Sequence, residues 1–175
     1  ADRGLQRVAA LRDGLSGELR LSAPVNFGIT QIAPRLVDFI SQNDALNVHF
    51  EFADEVRDLV QDRIDIAIRV GFPKESALIA LRLTTINELL CAAPSYLRAH
   101  PEITEPGHLD DHNWVRLSIL GEPHYVTLTN DDEQTCRVRA HGQVSTNSVA
   151  ASIDLARRGF GILQAQHFDV ESDLA

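Results

Sequence analysis

Only two of the 175 residues are cysteine, Cys91 and Cys136, and they lie far apart in no CxxC or zinc-ligand spacing. That disfavours both a disulfide scaffold and a structural metal site, and it fits a reducing compartment. Long apolar runs are missing too, since no stretch reaches the ~18 residues that a membrane span needs. The first residues, Ala1-Asp2-Arg3-Gly4, have neither the basic segment nor the apolar stretch of a signal peptide, so the chain is expected to be cytoplasmic and free of membrane. Positive charge is also scarce: 16 Lys and Arg stand against 25 Asp and Glu, a formal net charge of −9. Duplex DNA is gripped by clustered basic residues, so this stretch is not expected to hold nucleic acid by itself. Lysine is confined to Lys74, a bias that carries no functional meaning.

What is present is an ordinary globular composition, 44% hydrophobic and 23% charged, on a length suited to one domain or two small lobes. Leu5, Val8, Leu11 and Leu15 recur at helical spacing, which predicts a short amphipathic helix ended by Ser16-Gly17. Glu18 to Ala23 alternates as a half-buried strand and stops at Pro24. A helix follows over Gly28 to Ser41, with Ile29, Ile32, Leu36, Val37, Phe39 and Ile40 as its buried stripe and Asn26 as a possible N-cap. Pro34 removes a donor from it and predicts a later start or a bend. Val48, Phe50 and Phe52 mark a second strand, and Asp54-Glu55 opens a second helix with acids in its first turn. Ile64 to Gly71 is almost continuously apolar and β-branched, as an interior parallel strand is, so the fold class is α/β.

Leu78–Leu83 and Glu88–Ala93 read as further strands, with a short helix starting at Pro94. Prolines 101, 106 and 123 then break the chain, and strand candidates at Trp114–Leu117, Tyr125–Leu128 and Gln143–Ser145 suggest a second lobe. Ser148 to Arg158 closes that lobe as a helix, with Val149, Ile153 and Ala156 inward, Ser145 to Asn147 as a capping stretch and Gly159 as the stop.

Catalytic constellations are lacking. There is no Gly-x-Ser-x-Gly elbow, and Cys91 lies in a predicted strand, where it reads as a small buried apolar residue. His108 and His112 share metal-ligand spacing, but their segment reads better as a solvated turn. Gly159-Phe160-Gly161 follows a helix, the reverse of a dinucleotide fingerprint. The acids Asp54, Glu55, Asp58, Asp62 and Asp65 are spaced as a helix exterior rather than as a calcium loop. No enzyme activity, cofactor or metal is therefore expected. Asp65 and Arg69 interrupt a buried strand on the same face about 13 Å apart, so each needs its own partner. Two strand-to-helix junctions remain as ligand candidates, Ser22-Ala23-Pro24-Val25-Asn26-Phe27 and Ser145-Thr146-Asn147-Ser148. In open α/β sheets ligands settle beyond the carboxyl ends of strands, where free helix N–H groups hold anions; simple N-capping explains either junction alone.

The ordered set Gly17–Pro24, Ile32-Ala33-Pro34-Arg35-Leu36 with Phe39, Asp58-Leu59, Asp62 and Ile64–Gly71 resembles the effector-binding domain of LysR-type transcriptional regulators. Leu81-Arg82-Leu83, Leu90–Leu97, His100-Pro101, Leu109, His112 and the segment from Asn147 through Ile162 continue the resemblance, which covers nearly all of the chain after Gly17. It implies a two-lobed fold similar to periplasmic solute-binding proteins, with crossover strands near Leu89–Ala93 and Gly161–Gln166. Residues 1–15 would then end a linker helix, 16–90 plus 165–175 would form lobe I, and 91–164 lobe II. A small effector, often anionic in that family, is expected between Ser22, Ala23, Pro24, Val25, Asn26 and Phe27 on one side and Thr146, Asn147 and Ser148 on the other, with Arg69, Val70 and Gly71 lining the wall. The resemblance also implies a homo-oligomer, a dimer or tetramer, and DNA contact only through an N-terminal winged helix-turn-helix domain outside this sequence. Gln164-Ala165-Gln166 departs from the apolar-plus-Pro segment usual there, and the chain stops at Ala175, ahead of the family's last strand and helix, so an exposed sheet edge or dependence on a partner is expected. A solute-binding protein of transport shares the fold and is the alternative; an enzyme comes third.

Overall fold

A computed structural model describes residues 15–54, 62–71 and 79–174. The expected helices over 1–15 and after Asp54 lie wholly or largely outside the described residues. The chain divides into two compact units, residues 1–75 and 76–175.

In the first unit β1 (Gly17–Ala23) is flanked by β2 (Leu46–Phe52) and β3 (Ile66–Ala67), both parallel to it. Register aligns Leu19, Leu21 and Ala23 with Val48, Phe50 and Phe52, so one face of this pair is apolar. The other carries Glu18, Arg20 and Ser22 beside Asn47, His49 and Glu51. The helical connection packs on the apolar face, where Gly28 stands so close to the Phe52 ring that a Cβ there would lie 2.4 Å from it.

That connection begins earlier than expected, with a turn at Val25–Phe27, and Pro24 rather than Asn26 occupies the N-cap. Asn26 is already inside the helix, and its carbonyl accepts from the Thr30 hydroxyl at 2.8 Å. The strain expected at Pro34 is met by neither a late start nor a simple bend. Gly28–Ile32 winds as a π turn, with the Ala33 N–H reaching back to the Gly28 carbonyl, and α1 (Ala33–Ser41) follows with Pro34 in its first turn. The expected buried stripe splits in two. Ile32, Leu36 and Ile40 are half-buried, whereas Ile29 and Val37 are 57% and 59% exposed and Phe39 is exposed as well. Six apolar positions cover more of the helix circumference than one sheet face can bury.

Two strand expectations are corrected. Ile64–Gly71 contributes only the short β3, which lies at the edge of the described sheet with Ile66 exposed. Arg69 to Gly71 turn away from the ladder, and Gly71 has φ +107°. Residues 79–87 form no strand, and Ile79, Leu81 and Leu83 are 93%, 82% and 73% exposed.

The second unit holds most of the buried apolar residues. β4 (Glu88–Cys91) pairs antiparallel with β9 (Leu163–Gln166), β5 (Val115–Leu117) pairs parallel with β8 (Val144–Thr146), and β6 (Tyr125–Thr129) makes a hairpin with β7 (Thr135–Arg139). The short helix α2 (Pro94–Ala99) and α3 (Val149–Arg157) complete it, the latter ended by Gly159 in the left-handed region at φ +80°. One core gathers Tyr96, Leu109, Trp114, Val126, Val138, Ala140 and Ile162. A second gathers Val115, Ile153, Ala156, Leu163, Ala165 and Val170, so the stretch after β9 packs within this unit. The 106–111 segment is a 3-10 helix and not the solvated turn expected, because Leu109 and His112 are buried. The Tyr96 hydroxyl lies 3.1 Å from His112 Nδ1 and accepts from the Asn113 N–H at 2.9 Å.

Candidate functional site

The carboxyl end of β1 brings the first group of expected residues together. Ser22 and Ala23 are buried, Pro24 turns the chain, and the Val25 N–H donates to Asp54 Oδ1 at 2.9 Å. Asp54, expected to open the following helix and to lie on a helix exterior, is thus the group that satisfies the Val25 N–H at the start of the preceding helix. The one sequence signal for this role is its place just past the carboxyl end of β2, the strand beside β1.

Arg69 joins the same end. Its guanidinium donates to the Ile68 carbonyl and to the Ser22 hydroxyl, both at 2.9 Å. Asp65 accepts from the Arg20 N–H at 2.9 Å. Each interrupting charge therefore has its own partner, as their separation on one strand face demanded. Partial burial lowers the Arg69 pKa from its ordinary arginine value. Val70 and Gly71 follow at the exposed end of the segment.

The second group stands in the second unit, at the start of α3. Ser148 is the N-cap, and not Thr146 or Asn147: its hydroxyl accepts from the Ala151 N–H at 3.3 Å. Thr146 Oγ1 accepts from the Ser148 N–H at 3.1 Å. Both hydroxyls are engaged in holding this junction.

On the polar face of the first sheet a depression of about 560 Å³ is lined by Glu18, Arg20, Glu51, Asp62, Arg63 and Asp65. Arg20 is already paired with Glu51 at 3.2 Å. Among the described residues no cluster of three or more His, Cys, Asp or Glu could hold a metal ion, and no helix is long and apolar enough to cross a membrane. Cys91 is half-buried, its Sγ lies 3.7 Å from the Leu163 carbonyl, and burial, followed by the charge of Asp173, raises its thiol pKa.

The carboxyl end of this parallel sheet gathers an arginine, a buried serine and a helix start, which is where open α/β sheets hold their ligands. Residues 12–175 match the family model described as LysR substrate binding domain, and the chain belongs to that family. It is 30% identical over 163 residues to the HTH-type transcriptional activator TtdR of Escherichia coli (strain K12), covering 93% of this chain and 53% of that protein. It is 30% identical over 174 residues to the HTH-type transcriptional regulator PtxR of Pseudomonas aeruginosa, covering 99% of this chain and 55% of the relative. The regulatory domain of AphB in Vibrio vulnificus superposes with a TM-score of 0.73 at 26% identity, over 91% of this chain and 79% of that one. The fold is accordingly the periplasmic-binding-protein-like α/β fold of LysR-type regulatory domains. The chain spans about half the length of the curated relatives it matches.

Proposed function

We propose that this chain is the effector-sensing part of a DNA-binding transcription regulator, without catalysis of its own, working in the cytoplasm. The observation that carries the reading is the family match over residues 12–175 together with relatives named as transcriptional regulators, which favours regulation over transport. A small molecule held by Ser22–Phe27 and Arg69–Gly71 of lobe I (16–90 with 165–175) and by Thr146–Ser148 of lobe II (91–164) would bias an equilibrium between two states by its differential affinity for them. DNA would be reached through a further domain, in keeping with the charge of −9. Self-association as a dimer or tetramer is part of the proposal, supported by the exposed Ile29, Val37 and Phe39 on the helix.

A thermal-shift screen of small carboxylates, aromatic acids, amino acids and neutral analogues tests the sensing role, because a ligand specific to the folded state raises the melting temperature. A hit whose shift is lost on changing Arg69 or Thr146 supports the site. No stabilising small molecule of any charge class counts against the reading. Light scattering across concentration tests self-association, and a strictly monomeric mass opposes it.

A further inference from the structure

The β6–β7 hairpin of the second unit has two edges, and among the described residues neither is paired with a third strand. The bonds that close its two ends run from the Ala140 N–H to the His124 carbonyl and from the Asn130 N–H to the Gln134 carbonyl, both at 3.0 Å, and they set the phase of the ladder. Even-numbered residues of β6 therefore bond to β7. The main-chain groups of Tyr125, Thr127 and Thr129 point to the open side, where they meet no backbone partner among the described residues. Soluble proteins blunt such edges with charge, proline or a bulge. β7 is blunted in that way by Arg137 and Arg139. β6 is not: Tyr125-Val126-Thr127-Leu128-Thr129 holds no charge and no proline, and its residue types favour strands. The edge is also held firmly. Val126 belongs to the first cluster, Leu128 packs against it, and at the tip Asn130 Oδ1 accepts from the Asp132 and Gln134 N–H groups at 3.1 and 2.8 Å.

We propose that the open edge of β6 is a docking surface for the same edge of a second copy of this chain, paired antiparallel about a two-fold axis at Thr127. This register sets Tyr125 opposite Thr129 of the second copy, Val126 opposite Leu128 and Thr127 opposite itself, so no like charges face each other. Two β7 edges in full overlap would instead set Arg137 opposite itself. Charge fixes both the direction and the occupant. Arg137, whose Cζ lies 4.0 Å from the Tyr125 ring centre, and Arg139 have no acid partner among the described residues. The tip carries Asp131, Asp132 and Glu133, which have no cation partner among them either. Tyr125 is the cross-strand neighbour of Arg139, and it faces the Thr129 that leads into the other copy's tip. Each acidic tip thus comes alongside the arginine end of the other hairpin, whereas a parallel pair would set tip against tip. Glu122, the acid that precedes this end, is already paired with Arg116. Five residues a side is a small contact, so the pairing is reversible and concentration-dependent. It lies in the other unit from the exposed side chains of α1 and does not depend on the sensing reading.

Disulfide trapping in the full chain tests the register. Facing Cα atoms of an antiparallel hydrogen-bonded pair are about 5.5 Å apart, within reach of a disulfide, whereas Thr129 and its counterpart would stand roughly 14 Å apart. In a Cys136→Ser background, Thr127→Cys should therefore give a covalent dimer on mild oxidation with diamide, and Thr129→Cys should not. Both positions are exposed, so the hairpin keeps its core, and far-UV circular dichroism checks that each variant folds. Adding Arg137→Glu and Arg139→Glu should slow the Thr127→Cys trapping about fivefold, and reversing Asp131 and Asp132 to Arg as well should restore it. Equal trapping at positions 127 and 129, no trapping at 127, trapping of the parent through Cys136, which reports the β7 edge instead, or a trapping rate indifferent to the charge reversals would each overturn the proposal. None of these outcomes touches the ligand screen, so the sensing reading stands or falls separately.

Discussion

The two units solve the same problem, covering an α/β layer, to very different degrees. In the second, two contiguous clusters are sealed, with Trp114 at 1% exposure donating its Nε1–H to the Leu109 carbonyl. In the first, Leu21 and Ala23 are the buried apolar residues among those described, and the helix on the sheet leaves Ile29, Val37 and Phe39 exposed. The buried clusters and Arg69 thus lie in different units. The second unit carries two buried clusters and a helix start capped by the Ser148 hydroxyl, while the first has a thin layer at whose end Arg69 meets, among the described residues, only the Ile68 carbonyl and the Ser22 hydroxyl.

The sharpest way to break this contrast is to empty the scaffold. Trp114→Ala should cost about 3–5 kcal/mol by cavity formation and loss of the Leu109 hydrogen bond, with the fall read in a urea unfolding curve. A truncation on the first unit, Val37→Ala, trims a side chain that is 59% exposed and should stay within about 0.5 kcal/mol. Glycine substitutions sharpen the comparison next. A Cβ at Gly161 would sit 2.4 Å from the Asn113 carbonyl oxygen, backbone that cannot retreat, whereas at Gly28 the obstacle is a ring. Gly161→Ala should therefore destabilise by about 1–3 kcal/mol, and Gly28→Ala by less, because the Phe52 ring can shift and alanine favours the helix. Ser148→Ala, which strips the cap from α3, should cost about 1 kcal/mol in the same assay.

The smallest effect concerns the thiols. Burial raises the Cys91 pKa, so its contribution to stability is full below the ordinary thiol value and is lost as pH rises through the higher folded value. Urea midpoints should decline slightly into the alkaline range, and Cys91→Ala should remove that part of the decline. Thiol reagents at neutral pH should modify exposed Cys136 before Cys91.

Sequence pattern located the elements whose apolar spacing and punctuation agree. β1 ends at Pro24, α3 ends at Gly159, and β2 alternates along Val48, Phe50 and Phe52. It failed where a local pattern depends on distant cover. Ile64–Gly71 looked interior because its side chains are apolar, but edge position is set by which strands flank it. The strand Thr135–Arg139 went unnoticed, since Val138 alone is buried and Arg137 stacks outward on Tyr125, with Cζ 4.0 Å from the ring centre. His112 gave no local sign of burial, which comes from Tyr96 sixteen positions earlier. At the candidate site the residues were legible by position, and Arg69's need for a private partner by charge. That Ser22 is a partner of Arg69 required the coordinates, because a hydroxyl and a guanidinium 47 residues apart leave no spacing signature.

The irregular stretch 79–87 has a consequence for cutting the chain. Arg82 is exposed there, and residues 79–86 make no backbone hydrogen bond to other described residues, so a trypsin site lies on accessible main chain. Cleavage after Arg82 would leave all three strands of the first sheet on one fragment and every residue of both sealed clusters on the other. The bond between Arg82 and Leu83 is thus a natural seam, at which brief digestion would divide the molecule into a piece that carries the arginine and a piece that carries the core.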